Sequence, residues 1–271
     1  MYREFFGLKE NPFNVTSDPN FLFLSRVHKE AFSHLLYGIK ERKGFLEITG
    51  EIGAGKTTLC RALLSQLDIN TKSAFILNST LPELQLLKAI VEDYGIPVER
   101  QNKVSLLKQF NDFLIEELSK NHNVILIIDE AQNLKVSILE EIRMLSNLET
   151  DKSKLFQIIL VGQPELKNKL NLPALKQLRQ RIGVRFHITP LEIEEVDKYI
   201  YHRLTVAGSR GDICLSKDAI QTIYNYSGGI PRLINMVCDK ALLLAYVLET
   251  KDIRASIIER SIKEIEGVIG Q

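Results

Sequence analysis

Cysteine is scarce in this sequence and badly placed for the structures it usually supports. Cys60, Cys214 and Cys238 form an odd set with no C-x-x-C spacing, which excludes a disulfide framework and a structural zinc site and leaves buried thiols in a reducing cytosol as the expectation. The histidines His28, His34, His122, His187 and His202 show no H-E-x-x-H or other ligand spacing, so they are read as structural or solvated. Apolar runs are short, as in Val124 to Ile128, and the opening MYREFFGLKENPF lacks the apolar stretch of a signal peptide. Neither a membrane span nor a secretory leader is expected, and the chain reads as soluble and cytoplasmic, at most at the inner face of the inner membrane. Charge of one sign is missing as well: Lys+Arg 35 against Asp+Glu 34 leaves a formal net charge of +1, so the whole-chain average does not advertise a polyanionic partner. Repeats and low-complexity segments are absent.

What is present is the composition of an ordinary globular protein, 45% hydrophobic and 25% charged over 271 residues. Short β-rich apolar runs at Phe45 to Thr49, Ser73 to Asn78, Val124 to Asp129, Phe156 to Gly162 and Val184 to Ile188 alternate with helical patterns. That alternation predicts an α/β fold with a five-stranded parallel sheet. Thr80-Leu81-Pro82-Glu83 and Thr189-Pro190-Leu191-Glu192 each look like a capping box that starts a helix. Leu134, Ile138, Ile142 and Leu145 recur at helical spacing, and Gly228-Gly229-Ile230-Pro231 opens a further helix. No strand-like run follows Ile188. The expected division is therefore an α/β domain over 1–188, with an N-terminal segment 1–43, and an all-helical lid over 189–271 whose last segment is amphipathic.

Directly after the first run stands Gly50-Glu51-Ile52-Gly53-Ala54-Gly55-Lys56-Thr57, followed by Thr58. This G-x-x-x-x-G-K-[ST] string sits between a strand and a helix, the context in which it forms a P-loop. The glycines permit a tight loop with inward backbone N–H groups, and the helix behind it turns its positive end to the phosphates. Lys56 would pair the β- and γ-phosphates and Thr57 would ligate Mg²⁺. Val124 to Ile128 ends in Asp129-Glu130, where Asp129 would hold Mg²⁺ and Glu130 would orient and deprotonate the attacking water. No N-K-x-D string marks a guanine site, since Asn102-Lys103 continues as Val104-Ser105. ATP is therefore the expected nucleotide, and hydrolysis the expected reaction.

With these residues the chain resembles the ExeA/GspA-type AAA+ ATPases of general secretion and type IV (MSHA-like) pilus systems, over nearly its whole length to about residue 247. The likeness rests on Phe5 to Leu8 with Asn11-Pro12-Phe13, Tyr37-Gly38-Ile39, the phosphate loop, Asp129 to Leu134, Leu145 to Thr150, Gly162 to Leu166, Gln180-Arg181-Ile182 and Gly228 to Asn235. It implies an AAA+ P-loop fold with a helical lid, ATP and Mg²⁺ as ligands, and an oligomeric motor or assembly ATPase of a bacterial envelope machine. It further implies that Asn11 and Phe13 line the adenine pocket, although a plain hydrophobic anchor for the N-terminus fits the same residues. Gln163 would be the sensor 1 residue, Arg232 the sensor 2 residue of the lid, and Arg181, with Arg179 and Arg185 close by, the arginine finger acting on a neighbouring subunit. A finger in trans implies a ring or helical homo-oligomer. ExeA-type members continue into a membrane span and a peptidoglycan-binding domain, and neither occurs within these residues.

The alternative is an ATP-dependent DNA-binding regulator of transposition of the TniB or MuB kind. It draws on Lys167, Lys169, Lys176, Arg179, Arg181 and Arg185, a run with no acid among them, which would serve equally as a subunit interface. Glu192, Glu194, Glu195 and Asp197 follow with the opposite sign, so the near-zero sum conceals segregated charge.

Overall fold

The computed structural model describes residues 1–77, 79–146 and 155–267. Asn78, expected to close the second strand, and residues 147–150 of the Leu145 to Thr150 stretch lie outside them. Along the chain the elements are α1 (Tyr2–Phe5), α2 (Arg26–Lys40), β1 (Phe45–Gly50), α3 (Lys56–Ser65), β2 (Thr71–Ile76), α4 (Glu83–Asp93), α5 (Lys103–Ser119), β3 (Asn123–Ile128), α6 (Val136–Leu145), β4 (Gln157–Gly162), α7 (Pro164–Leu170), α8 (Lys176–Arg181) and β5 (Ile182–Ile188). There follow α9 (Ile193–Val206), β6 (Cys214–Leu215), α10 (Lys217–Ser227), α11 (Pro231–Val247), β7 (Asp252–Ile253) and α12 (Ala255–Ile265).

Two compact units form. One gathers Lys29–Gly50 and Leu59–Ile188; the other gathers Met1–His28, Glu51–Thr58 and the chain from Thr189 onwards. In the first, five strands run parallel in the order β2-β3-β4-β1-β5. β1 and β4 are buried at every position and β3 at all but Asn123, the pattern of strands covered on both faces. The edge strand β5 instead alternates, with Val184 and Ile188 buried and Arg185 and His187 exposed. Because the strands are parallel, the ends of β1, β3 and β4 lie on one edge of the sheet. Gly50, Asp129 and Gln163 stand at or just past those ends.

The second unit packs α9 to α12 around Val196, Ile200, Ile223, Ile234, Val237 and Ile258. Here the structure differs from the expected boundaries. Residues 1–28 do not join the sheet, because Phe6, Leu8, Phe13 and Phe21 are buried in this helical core. Removing such side chains from water is worth about 1.5–3 kcal/mol each, which outweighs adjacency in sequence.

Two helix starts are also displaced. Helix α4 begins at Glu83, with Pro82 and not Thr80 at its N-cap. Helix α9 begins at Ile193 with Glu192 at the cap. Residues 189–192 stay outside the helix, where the Leu191 N–H donates to the Gly229 carbonyl at 2.9 Å. Gly229 has φ +78°, and a Cβ there would strike the Leu191 backbone, so the approach needs glycine. The helical region also contains a two-residue parallel pairing of β6 with β7, too short to register as a strand-like run.

Candidate functional site

The loop between β1 and α3 turns through Gly53 and Gly55, at φ +81° and +93°, a region open to glycine and costly for other residues. Ala54 N–H closes on the Glu51 carbonyl at 3.1 Å, and the same oxygen accepts from Lys56 Nζ at 2.9 Å. Lys56 is 5% exposed. Thr57 and Thr58 follow in the first turn of α3, where backbone N–H groups and the helix dipole favour an anion. On the other side of the loop the Arg232 N–H, in the first turn of α11, donates to the Gly53 carbonyl at 3.3 Å. The aliphatic stem of Arg232 covers Gly53 so closely that a Cβ there would collide with it. Arg232, expected to reach the nucleotide from the lid, is thus in contact with the loop itself.

The acidic pair lies in the sheet unit. Asp129 continues the strand, its N–H donating to the Ile76 carbonyl at 2.9 Å. Its side chain is 2% exposed and accepts from the Glu130 N–H at 2.9 Å. Glu130 takes a left-handed backbone, φ +51° and ψ +36°, a strain of about 1–3 kcal/mol for a non-glycine residue. Its carbonyl is held by the Ser79 hydroxyl at 2.7 Å. Two carboxamides converge on one oxygen of its carboxylate. Gln132 Nε2 donates at 2.5 Å and Gln163 Nε2 at 3.1 Å to Oε2, while Gln132 Oε1 accepts from the Gln163 N–H at 3.1 Å. Gln163 is therefore brought to Glu130. Gln132 was not singled out from sequence; the signal lay in its place two residues after Glu130, within the three-residue helical turn Ala131–Asn133. Lys169 braces that turn, donating to the carbonyls of Gln132 and of Leu134.

The basic run is largely engaged within the chain. Arg181 donates to the Ser146 hydroxyl at 2.8 Å and Arg179 to Asn171 at 3.3 Å. Arg185 pairs with Glu47 at 3.4 Å and donates to the Arg179 carbonyl at 2.6 Å. Burial pushes the Glu47 carboxyl up from its usual range, and Arg185 and Lys167 pull against that.

Phe13 is 3% exposed inside the helical core. The carbonyls flanking it belong to a buried clasp: Arg203 donates to the Pro12 carbonyl at 2.5 Å, the Asn14 carbonyl at 3.1 Å and the Tyr199 hydroxyl at 3.2 Å. These contacts fit the anchoring role for Asn11 to Phe13 better than an adenine contact from the Phe13 ring. Thr57 and Asp129 offer a hydroxyl and a carboxylate, the hard oxygen donors that Mg²⁺ takes alongside water and phosphate.

Residues 39–170 match the AAA domain family, and the chain has an AAA-type P-loop fold. Solved structures share that fold at low identity. The Aeropyrum pernix ORC2 protein, in its ADPNP-ADP complexes, aligns with a TM-score of 0.72 at 18% identity over 94% of this chain and 72% of its own. Cdc6p from Pyrobaculum aerophilum gives 0.68 at 18% over 93% and 73%, and the Thermotoga maritima RuvB Holliday junction branch migration motor gives 0.56 at 18% over 88% and 68%. In sequence the chain is 44% identical, over 269 residues and 99% of its length, to General secretion pathway protein A of Aeromonas hydrophila. The resemblance read from the motifs is borne out. The chain spans 49% of that relative's length. No helix among the described residues is long and apolar enough to cross a membrane.

Proposed function

We propose that this protein binds ATP with Mg²⁺ and hydrolyses it, working as an oligomeric motor or assembly ATPase of a bacterial secretion or pilus envelope machine. The observation that carries the reading is the Glu130 carboxylate, drawn together with Gln163 and Gln132 beside the buried Asp129, in a chain with a complete phosphate loop. The amides of residues 53–58 and Lys56 bind the phosphates, and Arg232 senses them from α11. Thr57 and Asp129 hold the Mg²⁺, which when bound offsets charge on the β- and γ-phosphates. Glu130 takes the proton of the attacking water, and Gln163 holds the carboxylate or the water in line. Two amide donors keep that carboxylate in one place before any substrate arrives, which lowers the cost of organising the transition state.

The envelope assignment is supported by similarity to General secretion pathway protein A. DNA is the less supported partner, since Lys169, Arg179, Arg181 and Arg185 are engaged by groups of the same chain. The test is a fluorescent-nucleotide titration with steady-state phosphate release. Lys56→Ala should abolish binding, and Glu130→Gln should bind ATP as tightly as the native chain while losing at least about 100-fold in kcat. A Glu130→Gln protein with undiminished turnover refutes the assignment.

A further inference from the structure

The histidine that sequence reading set aside touches the phosphate loop. His28 lies in the first turn of α2 and is 3% exposed. Its Nε2 is 2.9 Å from the Ala54 carbonyl oxygen and its Nδ1 is 2.7 Å from the Ser25 hydroxyl. A carbonyl can only accept, so Nε2 carries the proton and Nδ1 accepts from Ser25. The Ser25 oxygen in turn accepts the His28 backbone N–H at 3.2 Å, which fixes both ends of the relay. Burial pushes the imidazole below its usual 6.5, against the Ala54 carbonyl and the nearby Glu195 carboxylate, which pull the other way. The ring is therefore neutral near pH 7, in one tautomer, with its donor aimed at the loop.

We propose that His28 is a positioning residue for the phosphate loop, holding the Ala54–Gly55 peptide so that the Gly55 N–H is presented to a phosphate oxygen. In a planar trans peptide the C=O and N–H point opposite ways. Tying the Ala54 oxygen to His28 thus turns the Gly55 N–H away from the imidazole. Flipping that peptide would break the bond to His28 and leave a buried ring donor unpaired, at a cost comparable to a lost hydrogen bond. The fit is close, for a Cβ on Gly55 would stand 3.2 Å from His28 Nε2. On the next peptide back, the Arg232 N–H holds the Gly53 carbonyl. Two successive loop carbonyls are in this way held by residues outside the loop, and a phosphate then meets amides already oriented. Such pre-organisation acts on nucleotide affinity and leaves the proton transfer at Glu130 alone.

The inference rests on the loop being a nucleotide site, and the test separates the two. His28→Phe keeps a ring without a donor; His28→Gln returns an N–H at similar reach. In the full chain, KM for Mg-ATP and the Kd of a fluorescent ATP analogue should rise about tenfold in His28→Phe, with kcat within about twofold of native. His28→Gln should recover to within about threefold of native, a rescue that mere packing would not give. If His28→Phe does not fold, Ser25→Ala, which releases the tautomer, carries the test with a rise of about threefold. Lys56→Ala is the reference. Nucleotide binding that depends on Lys56 but is indifferent to both His28→Phe and Ser25→Ala overturns this inference alone, as does a His28→Gln protein no better than His28→Phe. Binding that does not depend on Lys56 overturns the loop reading and this inference with it.

Discussion

Arg203 offers the sharpest test of how the N-terminal segment is held. It is 6% exposed, and no carboxylate lies within ion-pair distance among the described residues. Its guanidinium is satisfied by the Pro12 and Asn14 carbonyls and the Tyr199 hydroxyl. The Phe21 ring faces it at 4.7 Å from the centroid. Replacing it with Met keeps the stem and the volume and removes every donor. The bonds to Pro12 and Tyr199 are buried, and losing a charge-assisted bond of that kind costs about 1.5–3 kcal/mol. Water can replace the donor to Asn14, which is exposed, so that bond adds little. Against this, a buried cation carries a desolvation penalty of several kcal/mol that Met does not. The two bonds together amount to about 3–6 kcal/mol, and with about half of that offset by the penalty the net loss is about 2–3 kcal/mol. For a unit of this size that lowers the melting temperature by roughly 5–10 °C. Calorimetry with limited proteolysis is the assay: Arg203→Met should melt earlier and be cut within its first 24 residues. Arg203→Lys should resemble Met, because one ammonium cannot span both carbonyls as a planar fork does. A melting point within about 2 °C of native, with the N-terminal segment still protected, would refute the reasoning.

Other expectations follow from the same geometry. Burial lowers the pKa of His28 and of His202, the latter with help from neighbouring Arg203. As pH falls through 6.5 the unfolded chain takes up protons that the folded chain refuses, so stability drops in that window and is recovered above it. Thermal melts between about pH 5 and 8 should show that slope, and His28→Gln should flatten part of it; an unchanged slope would remove His28 from the account. Arg181→Ala should abolish hydrolysis with binding nearly intact. If Arg181 serves a neighbour's site, mixing Arg181→Ala with Glu130→Gln, each inactive alone, should restore part of the turnover. Failure to complement would confine Arg181 to its bond with Ser146.

The site was partly legible in the sequence because its chemistry is local. The phosphate loop needs its glycines, lysine and threonine at fixed spacing, and Asp129-Glu130 ends a strand whose apolar run is continuous, so both halves of the candidate site stand out in the chain itself. Strands β3 and β4 were readable for the same reason, since burial on both faces leaves an apolar run, Val124 to Ile128 and Ile158 to Val161, in each. Positions whose role depends on a partner far along the chain were not readable. Gln132 gained its meaning from Gln163, 31 residues on; His28 from Ala54, 26 residues on; and Arg203 from Pro12, 191 residues back.

The displaced helix starts belong with these. Thr189-Pro190 has the local signature of a cap, yet that stretch stays outside the helix, where Leu191 bonds to Gly229. By itself the sequence determined the class of fold, the parallel sheet and the two motifs, because periodicity and loop sterics act over a few residues. Only the tertiary structure decided that residues 1–28 belong with the helices beyond 189 and which polar groups brace the loop and the acid. Apolar burial and buried hydrogen bonds are indifferent to sequence separation, so their partners appear only once the chain is packed.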